Sequence, residues 1–279
     1  MLGQPYDASH NWMGQSSEHF DQKLAALDLS LFDAISSQSV KGDRIAWLRL
    51  QQAARKLSNP YAYLEIGSHL GGSIQNHLVD VSCSQIYSID KRPPRQPDDR
   101  GQYYEYENNS TERMLQNLRN ISPEGTEKIH CFDSDAAGVD LSKIKNKPQL
   151  CFIDGEHTQP AVKSDFQVCL EACDPDGMIA FHDDNVIWPA ILAIRNGLQA
   201  RKQRFKSVKL GGSTFVFLLG RSSQFIYPDL LTSETDGDQF LSQQQSKARF
   251  ETWIRKPARA LVPSSVRKTI KPWFKSLVD

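Results

Sequence analysis

The 279-residue chain lacks most of the features that narrow a protein's role at first reading. Its 33 basic and 33 acidic side chains leave no net charge, so the balance gives no sign of a nucleic-acid groove. No apolar run approaches the ~18 residues of a membrane span. The opening stretch, MLGQPYDASHNW, has neither a basic start nor an apolar segment, so a signal peptide is not expected. Cysteine is sparse: Cys83, Cys131, Cys151, Cys169 and Cys173, with no CxxC pair. Cys169 and Cys173 fall four apart on an expected helix, with no two further ligands nearby for zinc. Reduced, mostly buried thiols in a cytoplasmic protein are the expectation. No repeat at solenoid periods occurs. A membrane span, a disulfide scaffold and a repeat array are thereby set aside, and the 39% apolar content is enough for a globular core.

What the chain does have is a change of pattern along its length. Phe20, Leu24, Leu27, Leu31 and Ile35 recur at helical spacing, and a second helix is expected over 43–57; residues 1–58 read as a helical cap. From residue 61, short apolar runs alternate with helical stretches. The runs are 61–67, 85–90, 128–134, 149–155, 177–184 and 213–220, with helices expected near 72–80, 110–121, 158–173 and 187–200. Such alternation predicts βα units over 59–220: an α/β, doubly wound, mostly parallel sheet, Rossmann-like, with the last run part of a hairpin that adds an antiparallel edge strand. The prolines and charges of 91–108 read as a loop. Residues 221–279 form a basic extension. From Lys247 onward, nine Lys or Arg face only Glu251 and Asp279, alongside Trp273 and Phe274. A solvated appendage is one reading of it, and weak docking on a membrane surface or a protein is the other.

In an open α/β sheet, ligands bind beyond the carboxyl ends of the strands. This sequence puts its acids there: Glu65, Asp90, Asp133, Asp154, Asp183 and Asp184. One such acid is often a helix cap, but acids at five exits suggest a shared site. The first strand runs into LEIGSHLGGS, where Gly67 and Gly71 allow a tight turn and close approach of a ligand. A dinucleotide fingerprint would need glycine at His69, so pyrophosphate binding is not indicated. The fourth and fifth exits, FIDGEH and FHDDN, are expected to lie side by side. Asp154, Asp183 and Asp184 would then converge, and three bare carboxylates that close repel one another. A hard divalent cation, Mg²⁺ first, would relieve this.

The glycine turn, with Asp90 23 residues beyond Gly67, resembles the S-adenosylmethionine site of class I methyltransferases. That resemblance implies backbone contacts to the cofactor from Gly67 through Ser68 to Gly71. It puts Glu65 near the cofactor's amino group, Asp90 on the ribose, Asp133 and Ser134 at the adenine end, and Asp154 facing the cofactor as well. The segments FIDGEHTQPAVKSDF and GMIAFHDD further resemble the macrocin-type sugar O-methyltransferases and their broader bacterial relatives. The likeness implies Asp154, Asp183 and Asp184 as metal ligands and the second acid, here Glu156, as base. This chain departs from the pattern by having Glu at 156 rather than Asp.

A sugar or alcohol hydroxyl is a poor nucleophile at neutral pH, so metal coordination and a base suit its methylation. Glu156 and His157 are both candidates for the base. His157 reads equally as a structural histidine starting the next helix, and His182 as a strand histidine hydrogen-bonded within the sheet. The expected acceptor is a small molecule or glycan. Its pocket is expected to draw on the N-terminal helices, on Tyr103, Tyr104 and Tyr106, and on Trp188. Other readings stay open: a metal-independent methyltransferase acting on an amine, an iron site of His157, His182 and Asp184, and a non-catalytic cofactor-binding scaffold. Oligomeric state is not readable.

Overall fold

The computed structural model describes residues 17–226, 230 and 235–261. Its elements are α1 (Ser17–Ala25), α2 (Lys41–Leu57), β1 (Tyr61–Ile66), α3 (Gln75–Val79), β2 (Cys83–Ile89), β3 (Arg95–Pro97), β4 (Tyr103–Glu105), α4 (Thr111–Arg119), α5 (Pro123–Thr126), β5 (Ile129–Phe132), β6 (Leu150–Ile153), α6 (Gln159–Ala172), β7 (Met178–Phe181), α7 (Asp184–Ala200), β8 (Phe205–Lys209), β9 (Phe215–Leu219), α8 (Ser222–Phe225), β10 (Thr235–Asp236) and α9 (Gly237–Leu261). One sheet carries eight strands in the order β10-β8-β9-β7-β6-β1-β2-β5. The five strands from β7 to β5 are mutually parallel, and β9 runs antiparallel to both β7 and β8. This is the α/β, mostly parallel, Rossmann-like sheet expected from the alternation of runs. β1, β6, β7 and β9 are buried at every residue, which is why they read as unbroken apolar runs.

The expected antiparallel hairpin is β8–β9, which extends the sheet beyond β7. The last run, β9, is its inner strand, and β8 pairs along the outer side. FKSVK keeps no strict apolar–polar alternation, so β8 is not among the expected runs. Two other local expectations are corrected. The helix expected through Ile35 stops at Ala25: Leu27 turns left-handed (φ 54°), and Asp28 caps a short 3₁₀ turn by accepting from the Ser30 amide. The stretch 91–108 is not plain loop, since β3 and β4 pair as a small hairpin.

The helices of residues 17–57 share one core with the sheet. Trp47 of α2 packs edge-on against Phe152 of β6 at 5.2 Å and against Phe32 at 5.8 Å. Each such ring pair adds about 0.5–1.5 kcal/mol beyond the area it buries. The chain divides into two units, residues 1–237 and 238–279. The second holds most of α9, and Trp273 and Phe274 of the basic extension lie outside the described residues. Among the described residues, no helix is long and apolar enough to cross a membrane.

Candidate active site

The chain passes β1, β2 and β5 to one side and then returns to place β6 and β7 on the other, so the strand order reverses between the parallel neighbours β1 and β6. A cleft opens beyond the carboxyl ends of the strands there, where an α/β sheet of this kind binds ligands. Gly67, Ser68, His69, Gly72 and Ser73 form one wall. Gly67 (φ 91°) fits because it has no side chain: a Cβ would lie 2.1 Å from the Asp154 carbonyl oxygen. The two strand exits are therefore pressed together at their backbones. Gly71 also turns left-handed (φ 88°), against the side chain of Leu118. The Ser68 hydroxyl accepts from Ser88 at 2.8 Å, and the His69 amide donates to Asp90 Oδ2 at 2.9 Å.

Asp90 lines the cleft at the end of β2, with Oδ1 accepting from the Arg92 amide at 2.8 Å. The Arg92 side chain folds over this turn, donating to the His69 carbonyl and to Asn109. A backbone turn at the switch point with a carboxylate one strand away suits a nucleoside-bearing cofactor. Glu65 is different. It is fully buried beneath the turn, outside the cleft wall, where Tyr63 and Ser73 donate to its carboxyl. Burial, only partly offset by those two hydroxyls, pushes its pKa up to about 8. Asp133 is exposed and Ser134 half-buried, both outside the cleft wall; Asp133 accepts from Thr111 and lies 4.0 Å from Arg92 Nε.

The opposite wall carries the charge. Asp154 leaves β6, His182 leaves β7, and Asp183 follows in the left-handed conformation (φ 52°) as the residue before α7. That conformation is uncommon outside glycine, though Asp tolerates it better than most. Asp154, His182 and Asp183 each offer one ligand-type atom, all within 4.8 Å of one another. His182 Nδ1 stands 3.0 Å from Asp154 Oδ1 and 3.7 Å from Asp183 Oδ2. Its Nε2 is buried, makes no well-aligned hydrogen bond among the described residues, and faces Asp43 Oδ2 of α2 at 3.3 Å. Burial opposes a charge on this ring, yet Asp154 and Asp43 outweigh it and push its pKa up to about 11. Burial likewise works against an ionised Asp154, but His182 and His157 pull its pKa down to about 2.

The expected meeting of three carboxylates does not occur. Asp184, the first residue of α7, is buried and pairs with Lys209 of β8 at 3.0 Å. Burial raises its pKa to about 6 against the pull of Lys209. An imidazole thus stands where the third carboxylate was expected. The donor set still fits a divalent ion, with mixed oxygen and nitrogen ligands rather than oxygen alone.

The two candidate bases separate. Glu156 turns aside, accepting from Lys91 at 3.0 Å and from Thr158 at 2.7 Å, and does not line the cleft. His157 faces the cleft, with Nε2 3.5 Å from Asp183 and 3.9 Å from Asp154 and Nδ1 3.7 Å from Asp98. Burial would lower its pKa, but Asp154, Asp183 and Asp98 together hold it above the ordinary value. The β3–β4 hairpin closes this side. Tyr104 lies edge-on to His157 at 6.0 Å, Tyr106 edge-on to His69 at 5.1 Å, and both line the cleft. Tyr103 is exposed beneath Arg95, and Trp188 on α7 is not part of the wall.

Sequence reasoning missed Asp43, Trp47, Asp98 and Lys209. Asp43 reads as an ordinary capping acid in the first turn of a helix, and its contacts with His182 and Ser213 lie more than a hundred residues away, so no local signal marks it. Asp98 sits among charged loop residues and is singled out only by pairing with Arg100 at 2.8 Å and lying beside His157.

Residues 64–183 match the family model described as a methyltransferase domain, and the chain carries such a domain over that span. No curated protein matches the chain. Solved structures with a similar arrangement include the calicheamicin methyltransferase CalS11, at 14% identity and TM-score 0.49, covering 78% of this chain and 98% of that one. Another is the MycE methyltransferase of mycinamycin biosynthesis, in complex with Mg and SAH, at 12% identity and TM-score 0.45, covering 72% and 56%. A third is a putative caffeoyl-CoA O-methyltransferase from Staphylococcus aureus, at 13% identity and TM-score 0.46, covering 74% and 93%. Likenesses this distant leave the acceptor of this chain unassigned.

Proposed function

We propose that the protein transfers the methyl group of S-adenosylmethionine to a hydroxyl of a small acceptor, a sugar being the class suggested by the FIDGEH and FHDD segments, with help from a divalent ion. The observation that carries this reading is the placing of two unlike walls on one cleft. A glycine turn with Asp90 faces a cluster of Asp154, His182 and Asp183 backed by His157.

In this reading the backbone from Gly67 to Gly72 receives the methionine part of the cofactor, and Asp90 accepts from the ribose hydroxyls. The acceptor enters between Tyr104, Tyr106 and His157. Its oxygen attacks the methyl carbon, the carbon–sulfur bond breaks with its electron pair going to sulfur, and the hydroxyl proton leaves to His157 Nε2. The neutral thioether S-adenosylhomocysteine and the methyl ether are the products. Asp98, beside Nδ1, holds the proton on that nitrogen and leaves Nε2 free to accept, and the hairpin limits water. A divalent ion held by Asp154, His182 and Asp183 would lower the acceptor's pKa. The remaining task is alignment of oxygen, carbon and sulfur.

A second reading draws on His182 itself. Its imidazolium between Asp154 and Asp43 already supplies positive charge to the cluster, which favours a metal-independent transferase. Calorimetry with S-adenosylmethionine, followed by transfer assays over a panel of hydroxyl and amine acceptors with and without EDTA, tests both. Cofactor binding with EDTA-sensitive transfer to a hydroxyl is expected. EDTA-indifferent transfer selects the second reading, and absence of cofactor binding at millimolar concentration overturns both.

A further inference from the structure

Asp43 lies outside the matched methyltransferase span, on the first turn of α2, yet its side chain is only 3% exposed and reaches the cluster. Its Oδ1 accepts from the Ser213 amide at 2.6 Å and the Ser213 hydroxyl at 3.1 Å. Its Oδ2 accepts from the Val40 amide at 2.9 Å and faces His182 Nε2 at 3.3 Å. The approach is built into the backbone on both sides. A Cβ at Gly42 would lie 2.6 Å from the Gly212 nitrogen, and one at Gly212 would lie 2.1 Å from Asp43 Oδ1. One turn along α2, Trp47 packs edge-on against the His182 ring at 5.5 Å and fixes its plane. A helix-capping role accounts for the bond to Val40. It does not account for a buried carboxylate aimed at an imidazole whose other nitrogen faces two more.

We propose that Asp43 is a positioning residue. It holds His182 with Nε2 protonated toward α2, leaving Nδ1, beside Asp154 and Asp183, to ligate a divalent ion of the Mn²⁺, Co²⁺ or Zn²⁺ kind in preference to Mg²⁺. The inference rests on the metal-assisted reading. A carboxylate on the far nitrogen fixes the tautomer and orientation of a ligating histidine. An imidazole in the donor set suits transition ions better than Mg²⁺, which favours oxygen ligands and keeps its waters.

The test uses the full chain with ¹⁵N-labelled histidine. On adding Zn²⁺, NMR should show His182 Nε2 still protonated and Nδ1 shifted to a metal-bound position. A metal-induced change at Nε2, or at neither nitrogen, overturns the proposal. Calorimetry of the same protein should show Mn²⁺ binding at least about tenfold more tightly than Mg²⁺, and equal or tighter Mg²⁺ overturns the ion class. Asp43→Asn should weaken Mn²⁺ binding by about 10–100-fold, with affinity for S-adenosylmethionine unchanged. Unchanged Mn²⁺ affinity in that variant removes Asp43 from the role. If the variant does not fold, the two wild-type measurements decide alone. None of these readouts involves methyl transfer, so a chain that binds the ion as described but transfers nothing overturns the functional reading and leaves this inference standing.

Discussion

Glu65 and Asp154 stand on neighbouring strands, two carboxylates whose chain segments touch at Gly67, yet the fold treats them in opposite ways. Glu65 is sealed beneath the glycine turn with two hydroxyls for company, and burial keeps its proton on up to about pH 8. Asp154 meets two imidazoles at the cleft and stays ionised down to about pH 2. The difference is set by neighbours: Glu65 lies within β1, paired with Phe152, while Asp154 lies just past the end of β6. In the proposed reading it separates a cofactor wall of backbone and Asp90, with an uncharged acid sealed beneath it, from a reacting wall built from paired charges.

The largest expected effect strikes both walls at once. Gly67→Ala puts a methyl group into the Asp154 carbonyl at a left-handed position. It should cost more than about 4 kcal/mol, in the range of the most disruptive single substitutions, and urea unfolding measures it. A stable, cofactor-binding variant would break the claim that the two exits are locked together. Next comes the reacting wall alone. His157→Gln should lower kcat by about 10²–10⁴, the usual worth of a general base, while Glu156→Gln stays within about tenfold. Because His157 is held above its ordinary pKa and must be neutral to accept a proton, the wild-type rate should climb as pH rises above 6.5. The His157→Gln variant should lose that rise, and the reverse pattern would return the role to Glu156.

Glu65→Gln probes the layer sealed beneath the glycine turn. A carboxyl whose folded pKa is raised contributes stability that is complete below its unfolded value of 4.5 and lost as pH climbs through about 8. Wild type should therefore lose about 1.4 kcal/mol per pH unit across that window relative to the Gln variant. Denaturant titrations at pH 5 and pH 8 read the slope, and parallel curves would mean that Glu65 is ionised in the fold. The smallest effect is at Asp133. Its carboxylate is exposed, so Asp133→Asn should change cofactor affinity by no more than about 1 kcal/mol, roughly fivefold, read by calorimetry.

The same division explains how much could be read from the sequence. The sheet was legible because strands buried on both faces print as apolar runs, and the turn after β1 because it needs glycine at Gly67 and Gly71. The acids at the strand ends were visible as a set, and Asp154 and Asp183 do lie together. The partner of each acid was not visible. Lys209 takes Asp184 from a strand that alternates too weakly to be noticed, and Asp43 reaches His182 across 139 positions of chain. Which carboxylate meets a lysine and which meets an imidazole is decided by tertiary packing, and residues that look alike in sequence diverge there.

The central claim is that one wall binds the cofactor and the other performs the transfer. Calorimetric titration of S-adenosylmethionine into wild type and into Asp183→Asn tests it most directly. The account predicts one site in each protein, with dissociation constants within about tenfold, or about 1.4 kcal/mol, of each other, and methyl transfer retained only by wild type. No binding to wild type at millimolar concentration, or cofactor affinity that collapses with Asp183, would contradict it.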